Sequence, residues 1–293
     1  MTPRPNPALA IVLMTSATAF IAATTLLAKA LGTDTLGPAL HPFQVTHGRF
    51  VFAFMAIGMA VMALRPKFTT PQWPIHVGRT FFGFVGVTLM FTAAARIPLA
   101  DATAISFLNP VFAMILAIPF LGEAVGRWRW LAALTAFVGA LILLRPGPDS
   151  FQPAALFALG AAAALGFEII FIKKLANREA PLQVLFINNA LGVTLSTLAV
   201  LFVWNAPTLA QWGALASLGF AMASAQACFI NAVARADASM VTPFSYLTLV
   251  FAALYDATIF SQWPDATSYI GAVVILAGAA LLAWRETRVR AQA

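Results

Sequence analysis

The chain has 293 residues, of which 61% are hydrophobic and only 9% are charged, against roughly 45–50% and 25% in soluble domains. Between Glu179 and Arg235 lie 55 consecutive residues without Asp, Glu, Lys, Arg or His. No water-soluble surface is built that way, which excludes a soluble nucleic-acid-binding domain despite the net charge of +7. The single Cys228 and three scattered histidines predict neither a disulfide framework nor a metal or cofactor site.

Ten hydrophobic spans follow one another, separated by turn residues such as Pro98 and Pro181. Only helices or closed barrels satisfy the backbone in lipid, and runs this continuous are typical of helices. The sequence therefore predicts an all-α polytopic membrane protein with ten transmembrane helices. The predicted spans are about 9–30, 43–64, 75–95, 99–121, 129–145, 153–173, 182–204, 210–232, 237–260 and 266–284.

The basic residues predict the orientation. With the N-terminus in the cytoplasm, 13 of the 17 Lys and Arg residues fall on the inner side, Arg79 among them. The exceptions are Lys29, Arg49, Arg96 and Arg145. We therefore expect both termini in the cytoplasm. A cleaved signal peptide at the first span is disfavoured, because that span is about twenty residues long and its removal would unpair the repeat described next.

An internal repeat relates the two halves at an offset of 139 residues. Under this shift Arg96 matches Arg235, Ser106 matches Ser245, Phe107 matches Tyr246, and Pro42-Phe43-Gln44-Val45 matches Pro181-Leu182-Gln183-Val184. We expect one five-helix unit at 1–147 and a second at 148–293. Because five is odd, the two units must be inverted relative to each other. Inverted repeats are typical of secondary transporters that work by alternating access.

The same residues resemble a known family. The run Leu108-Asn109-Pro110-Val111-Phe112-Ala113, then Leu121-Gly122-Glu123, then Gly139-Ala140 is similar to the EamA family of the drug/metabolite transporter superfamily. The resemblance covers nearly the whole chain. It implies ten helices, a central cavity, and export of small metabolites across the bacterial inner membrane, as in exporters of aromatic and other amino acids. The second unit departs from the pattern at Leu249, opposite Pro110, and at Gln262, opposite Glu123.

Polar groups at membrane depth are costly and usually face a cavity or a partner. Arg49 is predicted either to hold a substrate carboxylate or to pair with a helix end or Asp34. Uncharged amides in the seventh and eighth spans could line the cavity or join helices by hydrogen bonds. The predicted cavity residues are Phe107, Tyr246, Ser106, Ser245, Asn189, Gln226 and Arg49.

Three titratable groups are candidates for ion coupling or charge pairing. Glu168 is either a protonatable or ammonium-binding group or a helix-end carboxylate beside Lys173. Asp256 lies about four residues from its helix end, which favours a plain interfacial role, and His47 is either a proton relay or a packing residue. Pro110 and Pro243 are predicted to bend the fourth and ninth spans.

The leading hypothesis is a secondary transporter that exports amino acids or similar small metabolites, and not an enzyme. No Walker-type loop is present, so the chain does not itself use ATP. The alternative cargo class is nucleotide sugars or phosphorylated metabolites, which would require several basic groups at mid-membrane. A lipid-modifying intramembrane enzyme is a further alternative. The oligomeric state stays open.

Overall fold

The computed structural model describes residues 6–122, 126–144, 152–175, 178–236 and 242–290, and these residues form helices and loops without strands. The helices are α1 (Pro7–Gly32), α2 (Pro42–Leu64), α3 (Trp73–Ala94), α4 (Leu99–Ser106), α5 (Asn109–Leu121), α6 (Arg127–Leu144), α7 (Ala155–Leu175), α8 (Pro181–Val200), α9 (Leu209–Val233), a short 3-10 helix (Thr242–Tyr246), α10 (Leu247–Ile259) and α11 (Ala266–Arg290).

The helix starts follow from local chemistry. Proline occupies the first turn of five helices, where its missing N–H costs nothing. At α1 the Asn6 side chain accepts a hydrogen bond from the Leu9 N–H at 3.0 Å. At α9 Thr208 and Gln211 form a capping box. Between these signals the runs are too apolar to leave the helical state in lipid.

Seven helical segments in the described part of the chain are long and apolar enough to cross a membrane, counting Leu99–Leu121 as one. Three shorter apolar helices, Trp130–Leu144, Phe244–Ile259 and Ala266–Gly278, lie at the other predicted spans. The predicted all-α, multi-pass architecture is therefore confirmed.

Two of the predicted spans are broken rather than continuous. The fourth is interrupted at Phe107 and Leu108, between α4 and α5. In the described part of the ninth, a 3-10 helix ends at Tyr246, the repeat equivalent of Phe107, before α10 follows. Pro110 does not bend a helix as predicted; it sits in the first turn of α5 and starts a new one. Pro243 lies in the 3-10 segment rather than inside an α-helix.

The helices pack across the two halves in matched pairs. Helix α1 contacts α9 and α10, while its repeat equivalent α7 contacts α3 and α5. Helix α2 contacts α8, and α6 contacts α11. Small residues permit the closest approaches: a Cβ on Gly139 would lie 2.7 Å from the backbone of Ile275, and one on Gly278 would lie 2.6 Å from Ala136 N.

The loops gather at two opposite ends of the bundle. We call end 1 the end that carries residues 33–41, 95–98, 201–208 and 260–265, and end 2 the end that carries residues 65–72, 178–180 and 234–236. Contacts between distant loops tie each end together. At end 2 the Asn6 N–H donates to the Arg235 carbonyl at 3.0 Å, and end 1 is held by Lys29 and Gln44 as described below.

Candidate transport site

The two helix breaks meet. The rings of Phe107 and Tyr246 lie edge to face with centroids 5.5 Å apart and planes at 70°, a favourable aromatic geometry. Both side chains are half-buried. The sequence repeat placed these residues at equivalent positions, and the structure brings them into direct contact where each span loses its regular helix.

The neighbouring serines make local hydrogen bonds at these breaks, Ser106 through its side chain and Ser245 through its backbone carbonyl. Ser106 Oγ donates to the Thr103 carbonyl at 2.6 Å, and the Ser245 carbonyl accepts from Thr248 Oγ1 at 2.8 Å. Such local bonds satisfy backbone groups near the end of a helical segment. Ser106 and Ser245 therefore flank the aromatic pair.

A buried charge cluster joins α2, α3 and α7. Arg79 Nε lies 3.5 Å from Glu168 Oε1, and Arg49 is within electrostatic range of both groups. The guanidinium groups approach from opposite ends, since Arg49 is one to two turns into α2 from end 1 and Arg79 one to two turns into α3 from end 2. Two guanidinium groups and one carboxyl group therefore lie close together inside the bundle.

This cluster corrects two predictions. Arg79 was expected on the inner membrane surface, but it is 5% exposed and lies inside the bundle. The sequence offers Lys173 as a helix-end partner of Glu168, whereas the structure pairs Glu168 with Arg79. The reason is cost: a carboxylate and a guanidinium at this depth stabilise each other, whereas either alone would be an unpaired buried charge.

Arg49 keeps unused donors. Its Nε and Nη1 are buried and make no hydrogen bond, while the guanidinium lies 4.6 Å from the centre of the Phe50 ring. Arg79 also has a buried Nε without a hydrogen bond, but its Nη1 donates to the Val184 carbonyl at 3.0 Å. Buried N–H groups without acceptors are costly, so Nε and Nη1 of Arg49 present a ready binding group for an anion.

The amide candidates divide into satisfied and unsatisfied groups. Asn189 Nδ2 donates to the Leu185 carbonyl on its own helix at 2.8 Å, and its Oδ1 has no partner. Gln226 Oε1 is likewise buried and unpartnered. Asn188, in contrast, accepts from Thr80 Oγ1 at 3.1 Å and joins α8 to α3. Asn189 and Gln226 thus retain free acceptors.

His47 is engaged in packing. Its Nδ1 lies 3.1 Å from Ser196 Oγ, and since that hydroxyl donates to the Val193 carbonyl at 3.2 Å, the imidazole is the donor. The ring also meets Trp204 edge to face at 6.5 Å. This arrangement fits the packing interpretation of His47.

Asp256 lies in a network with Lys29 that the sequence did not reveal. Lys29 Nζ lies 2.5 Å from Asp256 Oδ1 and 2.6 Å from Gln262 Oε1. The second carboxylate oxygen accepts the Leu99 N–H at 2.8 Å, which serves an orphan donor at the start of α4. Asp256 is 1% exposed and paired with Lys29, so the structure agrees with its prediction as a charge-pair residue and not with the interfacial alternative.

A second buried network lies at end 2. Glu179 Oε1 accepts the Gln72 N–H at 2.9 Å, and Oε2 accepts from His76 Nε2 and Gln183 Nε2, each at 2.8 Å. Burial acts to raise the pKa of the Glu179 carboxyl, but these hydrogen bonds outweigh it and hold the pKa below its ordinary value. No sequence pattern predicts this cluster, because Gln72 and His76 lie more than 100 residues from Glu179 and Gln183.

Two glutamines at equivalent repeat positions form matching clasps at opposite ends. At end 1 Gln44 Nε2 donates to the Asn205 carbonyl at 2.6 Å, and Oε1 accepts the Asn205 N–H at 3.2 Å. At end 2 Gln183 Nε2 donates to the Thr69 carbonyl at 2.9 Å, and Oε1 accepts the Thr69 N–H at 2.8 Å. Each clasp fixes a loop of the other half. The repeat match of Gln44 with Gln183 was the available sequence signal.

Comparison with known proteins decides the family. The EamA-like transporter family matches this chain twice, at residues 8–145 and 152–284. The chain belongs to the EamA-like transporter family. The family and the names of similar proteins indicate a membrane transporter of small molecules rather than an enzyme.

Three curated relatives show the range of cargo names. An S-adenosylmethionine uptake transporter of Rickettsia bellii is 30% identical over 254 residues, which is 86% of this chain and 87% of that protein. A riboflavin transporter of Vibrio cholerae is 31% identical over 232 residues, 78% of each chain. A pseudopaline exporter of Pseudomonas aeruginosa is 27% identical over 208 residues, 69% of this chain and 72% of that protein.

A solved crystal structure shares the fold. It covers 97% of this chain and 99% of its own, with a TM-score of 0.60 and 23% sequence identity. At this identity the likeness concerns the fold alone.

Proposed function

We propose that this EamA-like protein is a secondary transporter that exports an amino acid or a similar small zwitterionic metabolite. The observation that carries the proposal is the buried guanidinium of Arg49, whose Nε and Nη1 have no partner. A cargo carboxylate would supply the missing acceptors in a two-pronged contact. One cargo named among the relatives, S-adenosylmethionine, carries the amino and carboxyl groups of methionine.

The charge cluster suits a cargo of low net charge. Arg79 is already paired with Glu168, so the site offers one uncompensated positive charge rather than two. A single carboxylate would neutralise the interior, while the free acceptors of Asn189 and Gln226 would receive a cargo ammonium. The aromatic pair Phe107 and Tyr246 would pack against its apolar part.

The proposed mechanism is alternating access by two inverted five-helix units, approximately 1–147 and 148–293. Its support is the pairing pattern: exchanging each helix for its repeat equivalent converts the α1 contacts with α9 and α10 into the α7 contacts with α3 and α5. A twofold axis in the membrane plane produces such a pattern. Broken spans at the centre are a further feature of such transporters.

We further propose that end 2 faces the cytoplasm, with both termini there, in the inner membrane of a bacterium. The support is the excess of Lys and Arg in the loops at that end. Reporter fusions at the N-terminus and after residue 290 test this orientation. Reporters active on opposite faces would contradict it, because two five-span units return the chain to its starting side.

The decisive experiment is substrate counterflow in proteoliposomes, run with the twenty amino acids, S-adenosylmethionine and riboflavin. An exchanger accelerates labelled uptake when it is loaded with unlabelled cargo, whereas an enzyme or a channel does not. Arg49→Lys keeps the charge but cannot donate two parallel hydrogen bonds to a carboxylate, and we expect it to lower counterflow by about tenfold. Arg49→Gln also removes the charge, and we expect it to lower counterflow further.

Arg127→Gln is the matched control, because Arg127 is exposed at the start of α6. Wild-type counterflow in Arg49→Gln, with cargo identified, would remove the carboxylate-binding role. The absence of counterflow for every cargo in the wild-type protein would argue against the whole proposal.

A second candidate cargo class has one observation in its favour. Phosphorylated metabolites and nucleotide sugars need several basic groups at mid-membrane, and the structure adds Arg79 to Arg49 there. The Glu168 carboxylate offsets one of them, so we rank this class second. Counterflow driven by a sugar phosphate or a nucleotide sugar, but not by any amino acid, would reverse the order.

A further inference from the structure

A cavity opens at end 1, outside the charge cluster. Its volume is about 290 Å³, and its wall includes Gly32, Leu40, His41, Val45, Phe91 and Arg96. The volume is just below the range of small-molecule sites, roughly 300–1,000 Å³. It therefore fits a molecule of amino-acid size.

Three helices build the wall in the same way. The lining pairs are Ala28 and Gly32 on α1, His41 and Val45 at the start of α2, and Phe91 and Ala95 at the end of α3. Residues four apart lie on one face of a helix, so each helix gives the cavity one continuous face. The small residues on α1 leave the space open, and Gly32 is required there because a Cβ on it would lie 2.8 Å from Ala95 Cβ.

The chemistry of the wall is divided. Leu40, Val45 and Phe91 belong to one buried apolar cluster and form the apolar side. Arg96 provides a cation: its Nη1 donates to the Thr92 carbonyl at 3.1 Å, and the exposed guanidinium keeps its other donors. The group is held in place by the Phe157 ring, 5.4 Å from the guanidinium carbon.

His41 contributes no positive charge at neutral pH. Its Nδ1 accepts the Phe43 N–H at 3.2 Å, which requires that nitrogen to be unprotonated. Burial and, secondarily, the Arg96 guanidinium lower the pKa of His41 below its ordinary value. Arg96 is therefore the fixed charge of the cavity wall, and His41 offers its other ring nitrogen as a neutral donor.

The cavity is in register with the charge cluster. His41, Val45 and Arg49 are spaced four residues apart along α2, so Arg49 lies one turn, about 6 Å, beyond the residue that lines the cavity floor. Val45, which is buried and apolar, lies between His41 and Arg49 on α2.

We propose that this cavity is a second, outer binding site for carboxylate-bearing cargo, with the carboxylate on Arg96 and the apolar part against Leu40, Val45 and Phe91. The proposal deepens the proposed function and rests on it for the identity of the cargo. Cargo would occupy this outer site immediately before or after the inner site at Arg49.

The test uses benzoate as the probe and chemical protection of Arg96 as the readout. The full chain in detergent is treated with the arginine-selective reagent phenylglyoxal, and the modification of each arginine is followed by mass spectrometry. With a dissociation constant of ~1 mM, benzoate at ~10 mM would slow the modification of Arg96 by about tenfold. Benzamide, which has the same shape without the charge, is expected to give no protection.

Two further arms make the result specific. Exposed Arg127, at end 2, should show no protection, and Ala39→Trp, at an exposed position on the cavity rim, should remove the protection of Arg96. Unchanged protection in Arg49→Gln is expected, because the outer site does not use Arg49; its transport defect tests the proposed function separately. Failure of benzoate to protect Arg96 in the wild-type chain, equal protection by benzamide, or protection that survives Ala39→Trp would each overturn the outer site.

Discussion

His76 and Leu215 occupy equivalent positions of the two halves, 139 residues apart, yet they hold opposite ends of the bundle by different chemistry. His76 is fully buried and donates to Glu179 at 2.8 Å. Leu215 is 2% exposed and belongs to the same apolar cluster as Leu40, which is the repeat equivalent of Glu179. Equivalent positions of the two halves therefore form a polar contact at end 2 and an apolar cluster at end 1.

This difference predicts an acid-sensitive tie at end 2. The folded-state pKa of Glu179 is lowered, so its stabilising contribution is present above the ordinary pKa of glutamate, about 4.3, and is lost as the pH falls through the lower folded pKa. We expect Glu179→Gln to reduce the free energy of unfolding by about 1–2 kcal/mol at pH 7. The measurement is thermal unfolding in detergent from pH 3 to pH 7.

The difference between wild type and Glu179→Gln should shrink as the pH falls below about 4. Leu40→Ala at end 1 serves as the control, because its loss of apolar packing does not depend on pH. A Glu179→Gln deficit that stays constant over the whole range would contradict the assignment.

The Lys29–Asp256 pair predicts a strong asymmetry between single and double variants. Asp256→Asn leaves the Lys29 ammonium, 4% exposed, without its counter-ion, and such a loss costs about 3–5 kcal/mol. Lys29→Met combined with Asp256→Asn removes both charges and should recover a large part of that loss. Unfolding in mixed micelles measures both. Equal stability of wild type and Asp256→Asn would show that the pair does not hold end 1.

Glu168 sets the charge of the proposed inner site. Glu168→Gln raises the net charge of the cluster by one, because Arg79 loses the carboxylate at 3.5 Å. We expect zwitterionic cargo to be exchanged more slowly and a dianionic sugar phosphate to inhibit about tenfold more strongly. Competition of cold anions against labelled cargo measures this shift. Asp34→Asn, in an exposed loop, is the control. Unchanged inhibition in Glu168→Gln would show that the Glu168 carboxylate does not set the charge of the inner site.

The glutamine clasps predict local effects at opposite ends. Gln44→Ala should expose the Asn205 N–H, and Gln183→Ala should expose the Thr69 N–H, since each amide loses its acceptor. Hydrogen exchange by mass spectrometry should then accelerate in peptide 201–208 for the first variant and in peptide 65–72 for the second. Each variant is the control for the other. Faster exchange at both ends in either variant would mean general loosening rather than loss of a clasp.

The aromatic pair and the unpaired amide predict transport defects without unfolding. Tyr246→Ala removes the edge-to-face contact with Phe107 and should lower counterflow by about three- to tenfold. Gln226→Ala removes a buried free acceptor and should weaken cargo binding. Tyr269→Ala, on the exposed face of α11, should leave counterflow unchanged. Wild-type rates in both test variants would remove Tyr246 and Gln226 from the site.

The fold was largely predictable because lipid leaves few choices: long apolar runs must be helices, and their boundaries follow proline and capping residues. The repeat alone places Phe107 and Tyr246 at equivalent positions of the two halves. The break between α4 and α5 was not predictable from hydropathy, since no charged residue marks the junction in the run 102–122.

The sequence did not predict which charged residues form pairs. Arg79 counts as an interfacial residue when only distance along the span is considered, and its burial depends on Glu168, which is contributed by α7 of the other half. Lys29 and Asp256 are 227 residues apart, and no local pattern joins them. Such pairs depend on which helices become neighbours, and that is decided by packing.

The contact of Phe50 with Gly192 has a mechanical consequence. A Cβ at Gly192 would overlap the Phe50 ring. Helices α2 and α8 are therefore in close contact at this point, which lies partway along both of them. Two helices in close contact at one crossing point can tilt relative to each other about that point. A tilt of about 10° around it would shift helix ends ~15 Å away by ~3 Å, in opposite senses on the two sides of the fulcrum. Widening the gap at one mouth would then narrow it at the other.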